Sequence, residues 1–375
     1  MTFANKRLHN LAKMLIILLL TVGMFGVKAS AEETSSEQLT RDSVDSLIGD
    51  FESILPPGTE GLSDISNSAD ALGIEFLFGE IIKTVKGGYT SFFTFFLLLV
   101  GIALLVFIAS SCPGNMSGYC KGAASLIGGA IIFERLFFLV KEVSVSLSSI
   151  NDFFSALIPI ATATELLGLS AATASAESLG MAMTLGIYSS FSGKFLLSLS
   201  GILLVVCALS HVEPELFQRL GKSIKGAIVT LLGALTTLIG VTFSLQNLIT
   251  SRADSGTIRT ARYAISGMIP LVGNTVSGAL GTLLGGVSYA KGVIGGGAIA
   301  VIVVMACAPL VTLLMYRLTL LGATFLSELA SVGGAAGLFK SFLGAIDVLI
   351  AIYSLTALVY VVEIAVFLKG GAGVA

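Results

Sequence analysis

Residues 89–110 read YTSFFTFFLLLVGIALLVFIAS, without a single Asp, Glu, Lys, Arg or His. At 1.5 Å of rise per residue, a helix of this length crosses the roughly 30 Å hydrocarbon core of a bilayer. A helix also satisfies its own backbone polar groups there. The run lacks the polar face with which a water-soluble helix would meet solvent. It therefore reads as a transmembrane helix, and it fixes the class of everything around it.

Five further clear runs are 122–140, 187–210, 227–249, 293–315 and 343–367. Weaker ones are 143–160, 166–183, 264–287 and 318–339, giving six firm spans and up to ten. The whole chain agrees. Of 375 residues, 55% are hydrophobic and only 12% charged, with mean hydropathy +0.96, whereas soluble proteins average about 25% charged. The expected fold class is all-α, a polytopic helical membrane protein, and the lipid bilayer is its first partner. A formal charge of −2 gives no basic face, so no nucleic-acid partner is expected.

Upstream, Lys6, Arg7 and Lys13 precede a short apolar core from Met14 to Phe25, and Ala29-Ser30-Ala31 supplies small residues for cleavage. This is the pattern of a secretory signal, with Ala29 and Ala31 marking the cleavage site. Cleavage removes four basic residues and takes the formal charge from −2 to −6. Twelve acidic residues lie between Glu32 and Glu80. Within that region Val44, Leu47, Ile48, Phe51, Ile54 and Leu55 recur at helical spacing until Pro56-Pro57. A second amphipathic stretch, from Leu72 to Val85, leads toward the first span.

An internal echo adds organisation. Ser155-Ala-Leu-Ile-Pro159 resembles Ser266-Gly-Met-Ile-Pro270, and the run around Cys207 resembles that around Cys307. Duplication would make two related modules, with helices broken at Pro159 and Pro270 lining a pathway. Chance likeness between apolar segments built from few residue types is the competing reading. The expected order is 1–31 signal peptide, 32–88 acidic helical extracytoplasmic region, 89–142 first transmembrane pair, 143–262 transmembrane module one and 263–375 transmembrane module two. Topology resists the positive-inside rule. Arg219, Lys222 and Lys225 flank one end of the 227–249 run, and Arg252, Arg259 and Arg262 the other. Either that run is a hairpin or one basic loop lies outside the cytoplasm.

Three small-residue faces favour close helix contact: Gly281 with Gly285, Gly292 with Gly296, and Gly333 with Gly337. Packing within the chain is their expected use. Ionisable residues inside apolar runs are the best functional pointers, because a lone charge there costs about 2.5–3.5 kcal/mol. They include Glu134, Arg135, Glu165, Glu177, Lys194, Arg317, Glu328, Asp347 and Glu363. Near span ends, Lys194, Arg317 and Glu363 read as snorkelling side chains. Glu328 and Asp347 are the candidates for a pathway or subunit contact.

Reactive chemistry is thin. Cys112, Cys120, Cys207 and Cys307 show no metal-ligand spacing and read as small buried hydrophobes, though Cys112 and Cys120 are near enough in sequence to bridge. His211 reads as a loop residue, and no HExxH motif is present. Gly221-Lys222-Ser223 resembles the end of a P-loop, but Leu216 stands where its first glycine belongs, so no phosphate cradle forms. No catalytic residue, cofactor or metal site is expected.

Several stretches together carry a family resemblance. They are Leu77-Phe78-Gly79-Glu80 with the first span, Leu157-Ile158-Pro159, the run Ala264-Ile-Ser-Gly-Met-Ile-Pro-Leu-Val-Gly-Asn274, and Leu314-Met-Tyr-Arg-Leu-Thr319. Over most of residues 40–367, the chain resembles the stage III sporulation protein AE family of endospore-forming Firmicutes. The resemblance implies a non-enzymatic multi-pass subunit in the mother-cell membrane surrounding the forespore. Its implied partners are the other stage III sporulation A-set proteins, including an ATPase subunit, and a forespore membrane partner. Together they form a channel or secretion-like complex needed for forespore development. The alternative is an autonomous secondary transporter for a small solute or ion.

Overall fold

The amphipathic lead-in and the first apolar run are one helix, because no residue between them stops it. In the computed structural model, which describes residues 74–111, 116–168, 171–210, 214–268 and 273–369, this helix is α1 (Ile74–Ser110). The signal peptide with Ala29 and Ala31, most of the acidic region, Cys112 and His211 lie outside the described residues.

The second helix, α2 (Met116–Gly168), narrows the span count. Runs 122–140 and 143–160 were separate candidates, yet Lys141 and Glu142 between them are good helix formers and the helix continues through both. It also runs through Pro159, which was expected to break it. Proline removes one amide donor and crowds the preceding turn, which bends a helix without having to end it. Pro159 is exposed, where that bend meets little resistance.

The next rod has three parts: α3 (Ala171–Tyr188), a π-helical segment Ser189–Leu196, and α4 (Leu197–Leu209). Then α5 (Pro214–Met268) opens with proline at its first turn, where no amide is needed, and with Glu215 at its positive end. It crosses residues 227–249 as a single helix, so that run is no hairpin. The two basic clusters that flank it therefore stand at opposite ends of one span. Gly221-Lys222-Ser223 lies inside this helix and forms no loop.

Two helices complete the bundle, α6 (Gly273–Leu329) and α7 (Gly333–Lys369). The turn between them splits the run 318–339, which was a candidate span. The Val332 amide donates to the Ser327 carbonyl at 2.8 Å, and the Ser331 amide to the Glu328 carbonyl at 3.0 Å. This is a Schellman closure. Its left-handed position, usually glycine, is held by Ser331 at φ 58°. Replacing Ser331 by Gly removes the Cβ clash, and thermal unfolding in detergent is expected to show a gain of about 1 kcal/mol.

Among the described residues, six helical stretches are long and apolar enough to cross a membrane: 78–110, 117–164, 178–209, 215–242, 294–329 and 333–368. Their burial is unequal. In the most apolar stretch of α7, 67% of residues are buried inside the protein, against 22% in α5. Thus α7 is the hub, and α6 its closest companion. Phe339, Phe342, Ile346 and Leu349 of α7 are fully enclosed. The outer faces of α1 and α5 present Leu97, Leu104, Ile108, Val229 and Leu238, which suit lipid.

Candidate functional site

Four residues on one face of α7 form a buried polar ladder. Tyr353, Thr356, Tyr360 and Glu363 follow the alternating three- and four-residue step that stacks side chains on a helix. The same face begins with Phe342, Ile346 and Leu349, so it passes from apolar to polar along its length. The four rungs reach three segments. Tyr353 shares a 2.7 Å hydrogen bond with Ser146 of α2, and Thr356 a 2.6 Å one with Ser192 of the π segment. The Tyr360 hydroxyl donates to Asn151 of α2, and Thr184 of α3 donates to Glu363 at 3.0 Å. Glu363 is only 1% exposed, so it does not snorkel as its place near the span end suggested.

Aromatic stacking supports the ladder. Phe154 lies 4.6 Å from Tyr360, ring centre to ring centre, and Tyr188 lies 6.2 Å from Tyr360. Among the described residues, the Tyr188 hydroxyl is buried without a hydrogen-bond partner of acceptable geometry. In low dielectric an unmade hydrogen bond is costly, so satisfied rungs hold α2, α3 and α7 in one register. The sequence signal for this ladder was the three-four spacing of hydroxyl residues in α7. It was masked by the long apolar runs around it.

Asp347 also sits on α7, and Arg317 of α6 donates to it from Nε at 2.6 Å. The Arg317 side chain is 11% exposed and that of Asp347 25%. Arg317 is therefore an interhelical tie, where the sequence suggested snorkelling. The other acidic candidate is elsewhere. Glu328 pairs with Lys340 at 2.5 Å across the α6–α7 turn, and both side chains are well exposed. The two carboxylates thus have separate cations and do not meet in a shared site.

The remaining candidates separate too. Pro159 is on the exposed side of α2, and Pro270 lies outside the described residues. Among the described residues, a Cβ on Gly292, Gly296 or Gly333 would meet nothing within 4 Å. Gly337 is half-buried, and the surroundings of Gly281 and Gly285 lie outside the described residues. The tight backbone approach falls at a glycine the spacing did not mark. At Gly129 a Cβ would stand 2.7 Å from the Ala208 carbonyl oxygen. Nearby, the Cys207 thiol donates to the Ser341 carbonyl at 3.3 Å, and Lys225 to the Gly344 carbonyl at 3.2 Å.

Long apolar helices tied together by internal polar contacts define a class, the multi-pass helical membrane protein. A family model described as stage III sporulation protein AE matches residues 64–371, and the chain belongs to that family. No curated protein and no solved structure matches it. The family assignment places the chain in sporulation, and its description names a developmental stage, with no reaction attached.

Proposed function

We propose that the chain is a non-enzymatic membrane subunit of the channel or secretion-like complex between mother cell and forespore. The family match over residues 64–371 carries this reading. A bundle held by an internal polar ladder and the Arg317–Asp347 tie suits a subunit that supplies packing surface and a route. Any energy then comes from the ATPase member of the set, since Gly221-Lys222-Ser223 is helical and cannot cradle a nucleotide.

The protein belongs in the mother-cell membrane around the forespore. Lys121, Arg219, Lys222, Lys225 and Lys340 lie toward the end of the bundle that carries the 111–116, 210–214 and 330–332 connections. Lys83, Lys86, Arg252, Arg259, Arg262 and Lys369 lie toward the other end, so the positive-inside bias does not choose between the two. The expected secretory signal would put the start of α1 outside and the end with these connections in the cytoplasm. Deleting the gene in a sporulating strain is expected to abolish heat-resistant spores while engulfment proceeds. Normal spore numbers would overturn the reading. An autonomous transporter, by contrast, would drive flux when reconstituted alone in liposomes.

A further inference from the structure

The outward face of α2 carries charges that lipid does not suit, beside exposed Phe137, Phe138 and Val145. Taking 100° per residue, Glu134, Lys141 and Asp152 fall close to one line along this helix, with Val145 and Ser148 between them. All five are exposed. Arg135 and Glu142 are exposed alongside. From Glu134 to Asp152 the line runs about 27 Å, nearly the roughly 30 Å thickness of the hydrocarbon core.

Its depth is fixed by the ladder. Ser146, on the same stretch of α2, bonds Tyr353 in the middle of α7, and the Tyr353 hydroxyl points to the Met305 carbonyl in the middle of α6. The stripe therefore lies beside the centre of two spans, where exposed charges meeting acyl chains each cost about 2.5–3.5 kcal/mol. The π segment widens it. A Cβ on Gly193 would stand 3.9 Å from Nδ2 of Asn151 in α2, and the adjoining Lys194 is exposed.

We propose that this face of α2 and the π segment lines a water-filled passage across the membrane in the assembled complex. The inference rests on the channel reading above, and it names the wall. Water hydrates all the charges at once, and the stripe extends from about 18 Å on one side of Ser146 to about 9 Å on the other. A single docking spot would need less. Three acidic groups (Glu134, Glu142, Asp152) and three basic ones (Arg135, Lys141, Lys194) balance. Such a wall favours polar solutes without selecting the sign of their charge. One chain forms only part of the circumference, and other subunits close the rest.

The test uses the full chain in membrane sheets from sporulating cells, open on both sides. Ser148→Cys and Ser155→Cys, both exposed on α2, are compared with Ser331→Cys in the α6–α7 turn and Val229→Cys on the apolar outer face of α5. A charged maleimide is applied, and its attachment is read at each position by peptide mass. Because the reactive species is the hydrated thiolate, both α2 cysteines are expected to react within about tenfold of Ser331→Cys, and Val229→Cys about a hundredfold slower. If both α2 cysteines react as slowly as Val229→Cys, lipid or a protein covers the face and the proposal falls. That failure is separable from failure of the channel reading, which the spore count of the deletion strain decides independently.

Discussion

Asp347→Ala is expected to cost about 3 kcal/mol, the lower end of what removing one partner of a buried ion pair costs. The loss arises from what stays behind. The Arg317 side chain, 11% exposed, keeps its charge without the Asp347 oxygen that receives Nε–H at 2.6 Å. The lower end applies because Asp347 is itself 25% exposed and partly hydrated. Arg317→Leu is expected to cost less, since the carboxyl left behind has access to a proton or water. The double variant Arg317→Leu, Asp347→Leu is expected to recover most of the loss, because no charge remains to be stranded. Size-exclusion profiles of heated detergent extracts measure all three. A double variant as unstable as Asp347→Ala would refute this account and would mean that the pair's shape, and not its charge, holds α6 to α7.

The second large effect is at Gly129. A methyl group there stands 2.7 Å from the Ala208 carbonyl oxygen, 3.2 Å from its Cα and 3.3 Å from its carbonyl carbon. These are backbone atoms, which cannot rotate away, so α2 and α4 must separate. Gly129→Ala is expected to lose about 1–3 kcal/mol of stability, as overpacked cores do, despite the better helix propensity of alanine. Gly296→Ala provides the contrast. Among the described residues its Cβ meets nothing within 4 Å, so the same exchange is expected to be neutral or stabilising by about 1 kcal/mol. Equal thermal shifts for the two variants would contradict the close α2–α4 approach.

Some of the candidate chemistry was legible from residue type alone. A carboxylate in an apolar run is costly wherever it lies, which drew attention to Asp347 before any partner was known. Its partner was not legible, because Arg317 lies on a different helix and only packing aligns the two. The ladder was harder still. Serine, threonine and tyrosine are inexpensive in membrane helices, so Ser146, Thr184, Ser192 and Thr356 gave no local alarm. Glu363 did give one, but its position near a span end suggested an exposed carboxylate, and the structure encloses it beside Thr184. Glycine spacing misled for a related reason. It marks where close approach is allowed, whereas Gly129 shows where a neighbouring backbone actually comes.

Apolar runs long enough to cross lipid, with few charges to interrupt them, settled by themselves that this is a helical membrane protein. That property is local, since each segment's burial in lipid needs no other segment. Which runs fuse, which glycine is crowded and which charges pair depended on helices meeting across the bundle. Lys141-Glu142 suggested a gap between spans until α2 was seen to continue through it. The same charges became a candidate wall only when the hydrogen bond from Ser146 to Tyr353 set their depth. Depth and adjacency are relations between segments, and hydropathy along one segment does not contain them.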